Sequence, residues 1–188
     1  MFAFRPKEVE IGNSYTRILY MARYDRTLDD EFIRDILDNN CKIVVSKHIK
    51  HIDKSEAQDR VKDNIYAHQG KIQARLEKNH KKGLNFVPYH WTERERELED
   101  LQERLSDTNC ELFKIGVFIS LSASTKEELE ELTEAIRSKG KKHQVVIDCL
   151  VRQQEKALDS VLPFGINHFD NANGNNVNTY VLSDAAGI

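Results

Sequence analysis

One stretch decides the fold class of this chain: Glu111-Leu112-Phe113-Lys114-Ile115-Gly116-Val117-Phe118-Ile119-Ser120-Leu121-Ser122. Every second side chain along one face is apolar, namely Phe113, Ile115, Val117, Ile119 and Leu121. Strict alternation in a run rich in β-branched and aromatic residues predicts a β-strand with one face in a core. The rest of the fold is built outward from this strand.

A helix and another strand are expected directly after it. Ser124-Thr125-Lys126-Glu127 has the pattern of a capping box, and Gly140 is expected to end the helix in the left-handed conformation. The core-facing stripe of this helix consists of Leu129, Leu132 and Ile136. Residues 143–150 then predict a strand through Val145, Ile147 and Cys149.

The N-terminal third repeats the order of strand, helix and strand. Residues 14–24 predict a strand, Thr27 is a candidate helix N-cap, and residues 41–52 predict the next strand. The stripe expected to face the core on the intervening helix is Leu28, Phe32, Ile33, Ile36 and Leu37.

Residues 54–106 are mostly polar, with two narrow apolar stripes at helical spacing. The stripes are Ala57, Val61, Ile65, Ile72 and Leu76 on a first helix, and Leu98, Leu101 and Leu105 on a second. Two such stripes cover each other in an antiparallel helical hairpin. Removing this hairpin leaves βαββαβ, so we expect a single α+β domain over residues 1–188. Its core is a ferredoxin-like antiparallel sheet with a helical-hairpin insertion at 54–106 and a C-terminal helix.

Composition narrows the function classes. The 188 residues include 28 basic and 31 acidic side chains, a formal net charge of −3, and the pI is near 6.2. This balance argues against a nucleic-acid-binding domain, which is usually basic. No apolar run approaches the roughly 18 residues of a membrane span, and the N-terminus lacks the apolar core of a signal peptide, so a cytoplasmic protein is expected.

The sequence lacks the motifs of common catalytic and cofactor sites. A phosphate-binding loop needs GxxxxGK[ST], but Gly70-Lys71 and Gly140-Lys141 lack both the first glycine and the following Ser or Thr. His48 and His51 lie on opposite faces of a strand, which disfavours a metal site. We therefore expect a chain that is not an enzyme, with no catalytic, cofactor-binding or metal-binding residues.

Tyr89, His90 and Trp91 follow Pro88 at the bend of the hairpin. They predict either a small satellite core that caps the hairpin or an exposed aromatic surface for a partner, because Trp and Tyr dominate interface hot spots.

Residues 153–167 have the sequence Q-Q-E-K-A-L-D-S-V-L-P-F-G-I-N, a short helix that must end where Pro163 excludes helical geometry for Leu162. The pattern Q-x-x-x-L-x-S-x-L-P-x-G-x-N resembles the segment before the motor domain in the CagE/TrbE/VirB family of type IV secretion and conjugation ATPases, of the Gram-positive type. The residues assigned to this motif are Gln153, Leu158, Leu162, Pro163, Gly165 and Asn167.

Other segments are similar to the same family. Gly12-Asn13-Ser14-Tyr15-Thr16-Arg17 resembles its G-x-x-Y-x-R entry to the first strand, and Val45-Ser46-Lys47-His48-Ile49 resembles its second strand. Leu112 to Val117, with Ser122-Ala123-Ser124 and Glu127-Glu128-Leu129 after it, is similar to the strand and helix that precede the family's final Gln-rich helix. Tyr180 to Asp184 resembles the approach to a Pro-Phe pair that opens the nucleotide-binding region.

The resemblance implies the N-terminal domain of a conjugative-transfer ATPase, with residues 168–188 as a linker toward a motor domain. ATP and Mg²⁺ would then be bound only in that C-terminal domain. The implied partners are channel proteins of the type IV secretion system at the inner membrane, with self-association possible and no small-molecule substrate. The domain would be peripheral on the cytoplasmic face, serving DNA or protein transfer from a conjugative transposon or plasmid.

Two other functions remain open. One is a ferredoxin-like module that binds single-stranded nucleic acid, although residues 111–122 lack the aromatic spacing of RNA-recognition strands. The other is a stand-alone coiled-coil adaptor built on the hairpin, which would self-associate through residues 54–106.

Overall fold

The computed structural model describes residues 2–23, 30–38, 41–80, 88–106, 110–169 and 178–184. These ranges form a mixed α+β fold with five helices and a seven-stranded sheet. The strands are β1 (Phe2–Phe4), β2 (Val9–Ile11), β3 (Ser14–Arg23), β4 (Lys42–Ile52), β5 (Cys110–Ala123), β6 (Val146–Cys149) and β7 (Asn178–Asp184). The helices are α1 (Asp30–Leu37), α2 (Lys54–His80), α3 (Tyr89–Ser106), α4 (Lys126–Lys142) and α5 (Gln154–Val161).

The sheet is organised around β3. The path runs β1, β2, β3, β5, β4, while β6 also pairs with β3 and β7 pairs with β5. The pairs β1/β2, β2/β3, β3/β5 and β3/β6 are antiparallel. A two-residue turn joins β2 to β3, and Gly12 takes φ +62° there, which a glycine at the first turn position adopts without strain. The predicted strands at 14–24, 41–52, 111–122 and 143–150 are therefore confirmed within a few residues.

The chain divides into two compact units. The first comprises Met1–Ile49 with Lys114–Thr179, and the second comprises Lys50–Phe113 with Tyr180–Ile188. The second unit contains the helical hairpin expected over residues 54–106. Within residues 168–188, which the sequence assigned to a linker, β7 forms a strand.

Both faces of the first unit's sheet are covered. One face packs against α1 and α4 around a core of Leu19, Met21, Phe32, Ile36, Val117, Ile119, Leu121, Ala123, Leu129, Ile136, Val145 and Ile147. The opposite face packs against α5 around Val9, Ile18, Phe118, Leu150, Ala157 and Phe169. Successive residues of a strand point to opposite faces, so Ile18 and Leu19 of β3 are both buried, in different cores.

The second unit is held by the apolar stripes of the hairpin. Its core consists of Ile52, Ala57, Val61, Leu105 and Leu112, with Ile65 and Leu101 packed against it. These are stripe positions from the sequence plus one residue each from β4 and β5, so the predicted hairpin is confirmed. Ile72 and Leu76, farther along α2, are only partly buried.

The capping box of α4 lies one residue later than the sequence predicted. Thr125 is the N-cap, and its hydroxyl accepts a hydrogen bond from the Glu128 backbone N–H at 3.2 Å. The Glu128 carboxylate in turn accepts from the Ser124 backbone N–H at 2.9 Å. The interpretation that paired Ser124 with Glu127 was wrong by one position, because Thr125 offers the same hydroxyl chemistry.

Gly140 does not end α4, contrary to the prediction. The helix continues to Lys142, and the left-handed residue is Gln144, with φ 59°. A Cβ on Gly140 would lie 2.8 Å from both Ile147 Cδ1 and the Val145 carbonyl oxygen. Glycine is needed there for close packing between α4 and the chain that returns to β6.

The stripe expected on α1 is also narrower than predicted. Phe32 and Ile36, one turn apart, are buried, whereas Leu37 is 49% exposed. Leu37 follows Ile36 by one residue and is thus rotated by roughly 100° from the buried face. Thr27 and Leu28 lie outside the described residues.

Candidate functional site

The segment that follows α5 exposes apolar side chains at the surface of the first unit. Leu162 takes φ −66° and ψ 150°, the extended conformation that a following proline requires, and Gly165 takes φ +70°. Phe164 is 67% exposed, and Leu162 and Ile166 are also exposed. We call residues 162–166 the apolar turn. Exposed apolar residues clustered in this way are typical of a contact surface.

Gln154 fixes the beginning of α5 to the sheet. Its side-chain Oε1 accepts a hydrogen bond from the Ile18 backbone N–H at 2.8 Å, and its Nε2 donates to the Ile18 carbonyl oxygen at 3.0 Å. The same Nε2 lies 3.0 Å from the Leu150 carbonyl oxygen. The side-chain amide thereby pairs with β3 as a neighbouring strand would.

A gap in the strand pairing along β3 explains why Ile18 needs hydrogen bonds from the Gln154 side chain. Along β3, β2 pairs with residues as far as Thr16, and β6 pairs from Leu19 onward. Ile18 lies between the two, where neither strand supplies partners. Buried backbone groups are almost always hydrogen-bonded, and Gln154, which is only 1% exposed, meets that demand.

Ser160 fixes the other end of α5. Its carbonyl oxygen accepts hydrogen bonds from His48 Nε2 at 2.6 Å and from the Ser46 hydroxyl at 3.3 Å. Its hydroxyl donates to the Lys156 carbonyl oxygen and accepts from the His168 backbone N–H at 3.2 Å. The buried Ser160 therefore joins β4, α5 and the chain after the apolar turn.

Asn167 folds the chain back after the apolar turn. Its Oδ1 accepts a hydrogen bond from the Phe169 backbone N–H at 2.9 Å. Phe169 is buried, and its ring centroid lies 5.6 Å from that of Phe118 on β5. The apolar turn is thus anchored on both sides, by Ser160 before it and by Phe169 after it.

The structure shows which residues of the sequence motif take part. Leu158 packs against the core between the sheet and α5. Pro163 and Gly165 set the backbone conformation of the apolar turn, and Asn167 accepts the hydrogen bond that folds the chain back after it. Gln153 is the partly exposed N-cap of α5 and makes no side-chain capping bond. The buried glutamine is Gln154. From the sequence, Gln153 was assigned to the motif instead, although the spacing Q-x-x-x-L places the glutamine four residues before Leu158, at position 154.

The motif quoted for the entry to the first strand, G-x-x-Y-x-R, supplies an anchor on the opposite face of the sheet. Arg17 is buried on β3 and donates hydrogen bonds to Glu130 at 2.7 Å and to the Thr133 hydroxyl at 3.0 Å, both on α4. It also donates to the Lys7 carbonyl oxygen at 3.1 Å. The hydrogen bond from Arg17 lowers the pKa of Glu130 below its ordinary value. Arg17 thereby holds the N-terminal segment and α4 to the sheet.

Glu8 extends this charged network. Its carboxylate lies 2.9 Å from Lys126 Nζ and 3.4 Å from an Arg17 guanidinium nitrogen. The hydrogen bond from Lys126, aided by Arg17, holds the pKa of Glu8 below its ordinary value, although partial burial opposes this.

In the second unit, Tyr89, His90 and Trp91 do not form one surface. Tyr89 is 69% exposed and His90 is also exposed. Trp91 is half-buried, with its ring 5.7 Å from that of His68 on α2, and its carbonyl oxygen accepts a hydrogen bond from His68 Nε2 at 2.9 Å. Trp91 therefore joins the two helices, while the Tyr89 side chain is exposed.

The two Gly-Lys pairs and the two histidines weighed as phosphate or metal sites lie in helices or contact other residues of the fold. Gly70 lies inside α2 and Gly140 inside α4, away from any strand-to-helix turn. His48 bonds Ser160, and His51 lies 3.6 Å from the Glu111 carboxylate. Within the described ranges, His, Cys, Asp and Glu side chains form no group of three that could hold a metal ion.

Comparison with protein-family models and with curated proteins gives no match to this chain. Among the helices that the structure describes, none combines the length and apolar character needed to cross a bilayer.

Proposed function

We propose that this chain is the non-catalytic N-terminal docking domain of a conjugative-transfer type IV secretion ATPase. The observation that carries the proposal is the way the motif around α5 is used. Gln154, Ser160, Pro163 and Asn167 act together to hold a turn of exposed apolar side chains at a fixed place on the sheet. A turn fixed from both sides has already lost most of the conformational entropy that binding would otherwise cost.

The strand order supports a ferredoxin-like assignment for the first unit. Counted without the N-terminal hairpin and β7, the sheet runs β6, β3, β5, β4, which is fourth, first, third, second in chain order. That order, with α1 and α4 on one face, is the order of a split βαβ fold. The helical hairpin lies in the position of an insertion between the second and third of these strands.

The proposed partner is a channel component of the secretion system at the inner membrane, on its cytoplasmic face. An apolar turn of three exposed side chains suits an apolar pocket or helix groove on such a protein. ATP and Mg²⁺ would be bound by the C-terminal motor domain of the full-length protein, and this domain would position the motor at the channel.

Site-specific photocross-linking in the natural full-length protein tests this proposal. A photoreactive phenylalanine analogue at position 164 is expected to form an adduct with a membrane protein encoded by the same transfer element. The matched control places the analogue at Phe2, a phenylalanine of similar exposure on β1.

The same positions can be tested by substitution. Phe164→Ser is expected to lower the frequency of conjugative transfer by tenfold or more, because losing the burial of one phenylalanine costs about 1.5–3 kcal/mol. Phe2→Ser is expected to leave transfer unchanged. Adducts that are equal at both positions, or transfer that is unaffected by Phe164→Ser, would contradict the docking role of the apolar turn.

A further inference from the structure

Among the described strands, β4 is the last in the path of the sheet. In the path of described strands, β4 has β5 as its one neighbour, so its other edge is the edge of the sheet. Residues 42–49, which belong to the first unit, have the sequence Lys-Ile-Val-Val-Ser-Lys-His-Ile. Exposed edge strands are templates for pairing with another chain, and natural proteins usually shorten, bend or cover them. Here the edge strand is 11 residues long.

The exposed side chains of this edge combine aliphatic and positive groups. Val44 and Ile49 are 54% and 58% exposed, and Lys42 and Lys47 are exposed beside them. No acidic residue occurs between Lys42 and Ile52, in a chain whose net charge is −3. The edge is therefore a local positive strip, with Lys42 and Val44 on one face of β4 and Lys47 and Ile49 on the opposite face.

Side chains on both faces of β4 pack against the rest of the first unit. Ile43 and Val45 pack against the core between the sheet and helices α1 and α4. One face of β4 therefore contacts that core. His48 donates to the Ser160 carbonyl oxygen at 2.6 Å, and its ring lies 5.6 Å from that of Phe118. A strand fixed in this way presents its free edge in a geometry that is already suitable for pairing.

We propose that the β4 edge binds an extended, acidic segment of a partner protein by strand addition. Main-chain hydrogen bonds to the edge would supply affinity, and side chains of the added strand would meet Lys42 and Val44 on one face and Lys47 and Ile49 on the other. Charge selects the occupant. A second copy of β4 would bring lysine against lysine, which disfavours it, whereas a strand that alternates Glu or Asp with aliphatic residues complements the strip.

Nucleic acid is the other class that a positive strip could attract. Single strands are usually held by aromatic side chains on which bases stack, and residues 42–49 contain none of Phe, Tyr or Trp. The exposed aliphatic side chains between the lysines favour a peptide strand instead.

The test is a binding measurement with defined probes. Fluorescein-labelled octapeptides in which Glu alternates with Val, Ile or Thr are titrated with the full chain and followed by polarisation. Basic octapeptides with Lys in place of Glu, and labelled oligo-dT, serve as comparison probes. The variant is Lys42→Glu with Lys47→Glu, and the matched control is Lys62→Glu with Lys71→Glu on α2, which changes the net charge equally.

We expect saturable binding of at least one acidic peptide, with backbone amides of residues 42–49 protected from hydrogen exchange in its presence. The edge variant should bind about tenfold more weakly, since two exposed ion pairs are replaced by repulsions, while the control variant binds as the natural sequence does.

Three results would overturn the proposal. One is the absence of saturable binding by every acidic peptide, and another is equal weakening by both double variants. The third is oligo-dT binding that exceeds peptide binding and is lost in the edge variant, which would assign the strip to nucleic acid. Because the apolar turn is untouched in these variants, failure here leaves the docking proposal to its own test.

Discussion

Replacing Gln154 with leucine is the sharpest test of how α5 is held. Leucine keeps most of the side-chain volume but can neither accept from the Ile18 N–H nor donate to the Ile18 carbonyl oxygen, contacts of 2.8 and 3.0 Å in the structure. Ile18 is fully buried, and none of the strands that the structure describes pairs with it on that side. The substitution therefore leaves two buried backbone groups without partners.

The expected loss follows from that count. Each buried polar group left unsatisfied costs about 1–3 kcal/mol, so the two groups exposed by Gln154→Leu should lower the free energy of unfolding by about 2–6 kcal/mol. Typical domains have only about 5–15 kcal/mol in total, so the effect is a large fraction of the stability. The added apolar contact of leucine offsets a small part of this loss.

Urea unfolding followed by circular dichroism measures the effect. The matched control is Gln153→Leu, because Gln153 is the partly exposed neighbour that makes no side-chain capping bond. This control should change stability by no more than about 0.5 kcal/mol. Equal midpoints for the two variants, or a Gln154→Leu protein as stable as the natural one, would refute the bridging role of Gln154.

Three further predictions concern other parts of the fold. Gly140→Ala should destabilise the protein by about 1–3 kcal/mol in thermal unfolding, because the new Cβ would lie 2.8 Å from backbone and side-chain atoms; an unchanged melting temperature would contradict this close approach. The pKa of Glu8 is held below its ordinary value of 4.5 by Lys126, so its carboxylate stabilises the fold at higher pH and that contribution is lost as pH falls through the folded-state pKa. Glu8→Gln should therefore flatten the acid limb of a stability-against-pH curve, and an unaltered limb would count against the network. Trp91→Ala removes the ring whose centroid lies 5.7 Å from that of His68, so it should lower the melting temperature, whereas Tyr89→Ala should not; the reverse order would exclude the Trp91 ring as a contact between α2 and α3.

The long elements could be predicted from sequence because each repeats its pattern several times. β5 shows five alternations, and the hairpin stripes recur at three and four residues over many turns. β1 and β2 could not be predicted in this way, since strands of three residues are too short to establish a period. Their place is fixed by antiparallel pairing instead, of β2 with β3 and of β1 with β2.

The candidate site was only partly visible in the sequence. Pro163 and Gly165 act locally, and their effects on the chain were predictable from residue type. The role of Gln154 depends on a gap between two strands that are distant in sequence, which no local pattern reveals. The role of Gly140 could not be predicted from local sequence either. Glycine is needed there because Val145 and Ile147 approach its backbone closely, and not because the chain makes a left-handed turn at that residue.

We propose that this chain is the docking domain of a secretion motor. The most direct test is to determine the natural reading frame beyond the codon for Ile188. A docking domain of such a motor should be followed by a Pro-Phe pair and then by GxxxxGK[ST] between a strand and a helix, within a C-terminal ATPase domain. A stop codon, or a following domain without a phosphate-binding loop, would contradict the claim and leave the helical hairpin as the first place to search for function.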